Sequence, residues 1–234
     1  MLPLRDTIRS RTVPLINYGL ILINVLVFLF ELSLGSRGVN RILSSYGLVP
    51  ARLSLETPLT WVTLVTSTFL HGGWFHLISN MWTLYIFGDN VEDRLGSLRY
   101  LLFYLFGGVA AGAAQVAFDP TSTIPTVGAS GAIAGVLGAY FILYPRARVI
   151  TLLPLFFFFS FVEIPAVIFL GLWFFSQLSS GLLSLGAAGD FGGIAWWAHI
   201  GGFLFGLLFV RIFTRRPAPP AVGFDGFAAE PRRR

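Results

Sequence analysis

The sequence predicts an all-α polytopic membrane protein with six transmembrane helices. Three observations carry that expectation. Of the 234 residues, 55% are hydrophobic and only 12% charged, whereas a soluble domain is about one quarter charged. The apolar residues fall in long runs separated by short basic or Gly/Pro-rich stretches, as in a chain that lives in lipid. The arginines gather at the ends of those runs, the pattern that sets membrane topology.

A spanning helix needs about 20 apolar residues at 1.5 Å each. Six segments are read as spans: Val13–Leu34, Trp74–Phe87, Leu98–Phe118, Ser130–Tyr144, Val149–Leu178 and Gly193–Phe213. The second is short as drawn, and its apolar character reaches back toward Phe69. The first is longer than a signal-peptide core and is read as a retained span. The connector from Gly35 to Thr60 mixes apolar residues with arginines and reads as an interfacial segment. One membrane domain, residues 13–213, is expected between a cytoplasmic N-terminal segment, 1–12, and a disordered cytoplasmic tail, 214–234, rich in Pro, Ala and Gly.

The net charge is +5, and every cation is an arginine. With six spans the two termini share a side. Arg5, Arg9, Arg11, Arg94, Arg99, Arg146, Arg148, Arg211, Arg215, Arg216 and Arg232 to Arg234 fall on that side, and Arg37, Arg41 and Arg52 on the other. Both ends are therefore expected in the cytoplasm, most simply of a bacterial inner membrane. Charges placed at span ends argue against a nucleic-acid partner. The chain has no cysteine, which excludes disulfides, thiolate metal sites and a Cys nucleophile. No cofactor or metal is expected.

Polar groups inside spans are expensive unless paired or wetted, so those that this chain tolerates are informative. All three histidines, His71, His76 and His199, lie in or beside spans, with Asn80 and Ser130; Glu163 and Gln177 fall in the fifth. Ser130 to Pro145 makes about 24 Å of helix against a core of about 30 Å. With Arg146 held at the cytoplasmic surface, Ser130 lies below the outer one. His199 and Asn80 each come six residues into their spans from that same outer side, about 9 Å deep. The three groups share one depth, where outside water can enter.

The residue types suit acyl transfer. A serine hydroxyl needs an adjacent base, and an imidazole suits that role. Ser130 opens a helix, where backbone N–H groups lack helical partners. His76 and Asn80, at i and i+4, share a face and can both donate. Gly131 and Gly135 on the fourth span, and Gly202 and Gly206 on the sixth, form small-residue faces that let helices approach closely. A contact between those faces sets His199 against Ser130. Gln177 and Glu163 read as helix–helix or headgroup contacts, and Trp196-Trp197 as an interfacial belt.

Three stretches resemble the motifs of the rhomboid family. Gly128-Ala129-Ser130-Gly131 is similar to its GxSG motif. Ala198-His199-Ile200-Gly201-Gly202, followed by Gly206, is similar to AHxxGxxxG. His71, His76 and Asn80 are spaced like its second-span HxxxxHxxxN. The resemblance implies a rhomboid-like bundle and an intramembrane serine endopeptidase that cleaves transmembrane segments of membrane proteins near the outer face. Ser130 would be the nucleophile and His199 the base of a Ser–His dyad. His76, Asn80 and the Ser130 backbone would form the oxyanion site, and His71 would be structural or help hold water. The partners implied are transmembrane protein substrates and the bilayer, with span five and the loop Ser179–Gly193 as gates.

This sequence departs from the family pattern twice. Val62-Thr63 stands where many rhomboids carry Trp-Arg, and Ala134 where many carry an aromatic four residues after the serine. Another group must therefore position His199. The rival reading is a catalytically silent rhomboid-like protein that escorts membrane clients. A small transporter is disfavoured by the lack of repeat symmetry and of a charged midplane cluster.

Overall fold

The computed structural model of the protein describes residues 1–155, 158–185 and 194–214. The chain runs through strand β1 (Leu2–Asp6), helices α1 (Leu15–Ser33), α2 (Gly35–Tyr46), α3 (Thr63–Thr66), α4 (Trp74–Leu95), α5 (Ser97–Phe118) and α6 (Ser130–Leu143), strands β2 (Arg148–Leu155) and β3 (Phe158–Pro165), then helices α7 (Ala166–Leu185) and α8 (Trp196–Phe213). Among the described residues α1, α5, α7 and α8 are long and apolar enough to cross a membrane. Helix α6 is apolar but has only 14 residues. Helix α4 has the length, yet His76, Ser79, Asn80 and Asp89 make it less apolar.

The fold departs from the all-α expectation. Val149–Leu178 is not one helix. Its first part is a β-hairpin, which pairs with β1 in an antiparallel sheet of order β1-β2-β3. Thirty helical residues would make about 45 Å, longer than the bilayer core. Pro154 and Pro165 would each remove a helical hydrogen bond, and Val149, Ile150, Thr151, Val162 and Ile164 favour strand. Glu163 therefore lies on β3, exposed, 3.8 Å from Arg148, not within a span. The N-terminal segment likewise forms a strand. Trp82 Nε1 donates to the Pro3 carbonyl at 2.7 Å, and Asp6 accepts from Asn90 Nδ2 at 2.8 Å and from the Tyr140 hydroxyl.

Helix α6 is the axis of the core. Its residues from Gly131 to Tyr140 are all buried, which matches a sequence apolar on every side. Small side chains let its neighbours come close. A Cβ at Gly206 of α8 would collide with the Gly135 carbonyl oxygen, and one at Gly202 with that of Gly131. A Cβ at Gly131 would lie 2.6 Å from Ala111 Cβ of α5. Gly128, Gly131, Gly202 and Gly206 are thus positions where backbone or side chain occupies the space a Cβ would need. The connector after α1 contains the amphipathic α2, none of whose residues is buried. The expected tail from residue 215 onward, and Gly186, Gly189, Asp190, Gly192 and Gly193 of the expected gating loop, lie outside the described residues.

Candidate active site

Ser130 is the first residue of α6, delivered by a turn in which Gly128 has φ +122°. Only glycine adopts that backbone readily. The Gly128 N–H donates to the Ser67 carbonyl at 2.9 Å, which pins the turn. His199 sits in the first turn of α8. The glycine contact between α6 and α8 brings its Nε2 to 2.8 Å from Ser130 Oγ. A hydroxyl bonded to an imidazole nitrogen at this distance can pass its proton to it as it attacks.

His76 and Asn80 face the same place from α4. A Cβ built at Gly128 would lie 2.5 Å from His76 Nε2 and 3.6 Å from Asn80 Nδ2. A cavity of about 450 Å³ opens here, bounded by His76, Asn80, Gly128, Ser130, Ala198 and His199. Two side-chain donors and the partner-free first N–H groups of α6 converge on its wall.

His71 stands behind that wall, 1% exposed, so it is not a solvated interfacial histidine. Its Nε2 lies 3.1 Å from Asn80 Nδ2 and its ring meets that of His76 edge-on at 5.1 Å. Its backbone N–H points to the buried Glu31 carboxylate at 3.4 Å. His71 thus braces the donors and does not line the cavity.

Gln177, expected as a helix–helix or headgroup contact, makes a helix–helix contact, but sequence reasoning did not name His199 as its partner and overlooked Trp173 beside it. Gln177 of α7 places its Oε1 2.7 Å from His199 Nδ1. Trp173, one turn earlier, lies with its ring centroid 6.0 Å from the imidazole, and Trp196 meets the ring edge-on at 6.4 Å. These groups occupy the role left open by Ala134. The signal was available: a lone amide in an apolar helix needs a partner, and Trp173 and Gln177 share a face at i and i+4. The expected belt is also corrected, since Trp197 is buried and stacks on Phe118 of α5 at 3.8 Å.

The class follows from comparison. A Rhomboid domain matches residues 58–216, more than half of the chain, and takes in Ser130, His199, His76 and Asn80. The chain belongs to the rhomboid family, many of whose members are intramembrane serine proteases, and it is an integral membrane protein. It is 29% identical over 197 residues to Rhomboid protein 1, mitochondrial, of Saccharomyces cerevisiae, covering 82% of this chain and 51% of that one. It is 32% identical over 201 residues to the human Presenilin-associated rhomboid-like protein, mitochondrial, covering 82% and 46%. It is 37% identical over 127 residues to Rhomboid protease GluP of Bacillus subtilis, covering 54% and 24%. The chain spans about half or less of the length of these relatives. Two of the three carry mitochondrial names, so the expectation of a bacterial inner membrane gives way to the broader statement of membrane residence.

Proposed function

We propose that this protein is an intramembrane serine endopeptidase that cuts transmembrane segments near the outer face of the bilayer. The observation that carries the reading is the 2.8 Å contact of Ser130 Oγ with His199 Nε2 on the wall of a cavity shared with His76 and Asn80. In this reading Ser130 Oγ attacks the scissile carbonyl and its proton passes to His199 Nε2. His76, Asn80 and the Ser130 N–H receive the oxyanion. His199 returns the proton to the leaving amine, then takes one from the water that hydrolyses the acyl-enzyme. A helical substrate hides its peptide bonds in its own hydrogen bonds, so local unwinding precedes attack.

The proposed topology has six crossings: α1, α4, α5, α6, α7 and α8, with both ends cytoplasmic. Its support is the end of the bundle where Arg9, Arg11, Arg94 and Arg211 surround one cavity of about 1020 Å³. That grouping sets the N-terminal segment and the ends of α4 and α8 on one side, as the positive-inside rule requires.

The test is cleavage of a reporter transmembrane segment by the purified protein in liposomes, beside Ser130→Ala and His199→Ala. Cleavage by wild type that both substitutions abolish is expected. Client binding that survives both substitutions, without cleavage of any helix-unstable segment, would replace the protease with an escort.

A further inference from the structure

The imidazole of His199 has two nitrogens, and only one tautomer suits the proposed reaction. Nε2 must be bare to receive the Ser130 proton, so the hydrogen must reside on Nδ1. The group facing Nδ1 is the amide of Gln177 at 2.7 Å. The orientation of that amide is set by its other end: the Ser176 hydroxyl gives its hydrogen to the Trp173 carbonyl at 2.6 Å, so it can only accept, from Gln177 Nε2 at 3.0 Å. Oε1, a pure acceptor, is thereby turned to His199. An acceptor at Nδ1 stabilises the hydrogen there and leaves Nε2 as the acceptor for Ser130 Oγ at 2.8 Å.

Packing fixes the amide in place. The buried residues of α7 are Ala166, Leu170, Gln177 and Gly181, a single stripe at helical spacing. Gln177 is its polar member. A Cβ at Gly181 would lie 3.2 Å from Ile200 Cδ1 and 3.5 Å from Trp196 Cβ, so α7 meets α8 closely beside the histidine. Trp173 flanks the ring from the same helix. The imidazole is gripped at its edge and bordered on a face by one helix, and its reactive nitrogen is presented to another.

We propose that Gln177 is a positioning residue of the dyad, its amide oxygen holding His199 as the Nδ1–H tautomer and in line with Ser130. The inference rests on the reading of Ser130 and His199 as the reacting pair. It assigns the third member of the group to an uncharged amide, which orients the base without adding a charge in lipid, where a carboxylate would be costly.

The experiment joins ¹⁵N NMR of His199 in the reconstituted protein with reporter cleavage, for wild type, Gln177→Leu, Gln177→Met and Gln177→Glu. The expected result in wild type is a single Nδ1–H tautomer. Gln177→Leu and Gln177→Met should mix the tautomers and lower kcat about tenfold, the scale of one hydrogen bond, with KM unchanged. Gln177→Glu, which keeps an acceptor oxygen within reach, should restore the tautomer and most of kcat. An Nε2–H tautomer in wild type would overturn the proposal, with no need for any variant to fold. So would apolar variants that keep both tautomer and kcat. A tautomer that responds to Gln177 in a protein that cleaves nothing would leave the positioning intact and remove the protease reading instead.

Discussion

The carboxylate of Glu92, near the end of α4, accepts a hydrogen bond at 2.8 Å from the backbone N–H of Asn17, 75 positions earlier. Its other oxygen takes the Ile16 N–H at 3.2 Å and the Ser97 hydroxyl at 2.7 Å. Pro14, at the start of α1, offers no side-chain cap, so the helix borrows one from α4. An acceptor lost from a buried cluster costs about 1–3 kcal/mol. Glu92→Ala should lower unfolding stability in mild detergent by that amount. An unshifted unfolding midpoint would show that α1 is capped by other means.

Asn80 and His76 predict a kinetic signature. If they receive the oxyanion, Asn80→Ala should lower kcat by about 10²–10³ and leave KM nearly unchanged, because the donor acts only once the charge develops. A change confined to KM would assign Asn80 to substrate binding.

The glycines of α8 predict a contrast in stability. A methyl at Gly206 would collide with the Gly135 carbonyl oxygen, whereas Gly171 on α7 has open space around its added Cβ. Gly206→Ala should cost about 1–3 kcal/mol and weaken cleavage, by spreading the helices that carry Ser130 and His199. Gly171→Ala should be neutral or slightly stabilising, since alanine is the better helix former. Equal effects in thermal unfolding would rule out the close-approach explanation.

Asp6 predicts a pH dependence outside the membrane. Burial raises its carboxyl above the ordinary 3.8, although the Tyr140 hydroxyl and backbone donors pull the other way. A raised value means that the folded state favours the protonated form. The anchoring contribution is then complete below the ordinary value and is lost as pH rises through the raised one. Hydrogen exchange of the β1 amides, corrected for intrinsic rates, should show stronger protection at about pH 4 than at neutral pH. Asp6→Asn should flatten that difference. Protection that grows with rising pH would contradict the assignment.

What the sequence revealed and what it hid divide along physical lines. The starts and ends of α5, α6 and α8 lie within about three residues of their expected bounds, because lipid forces an apolar run to satisfy its hydrogen bonds internally. The common depth of Ser130 and His199 came from counting residues, and the structure sets them 2.8 Å apart. The hairpin was hidden because hydropathy does not distinguish a short apolar strand from a segment of apolar helix; Pro154 and Pro165 were the neglected clue. Gln177 was underrated because its value lies in a partner on another helix, and no periodicity within α7 names that partner. Glu92 was invisible as a cap for the same reason, since its acceptor geometry belongs to α1.

The three-stranded sheet also orders the assembly of the molecule in time. Leu2 pairs with Leu152 and Asp6 with Val149. Strand β1 therefore waits for a partner that follows most of the helices in the chain. Such a distant pairing carries a high cost of loop closure before it returns any contact. Strand β1 is thus a clasp that can fasten only once the chain has threaded as far as β2. Its docking, read through the Trp82 contact to Pro3, marks a molecule whose two halves have met.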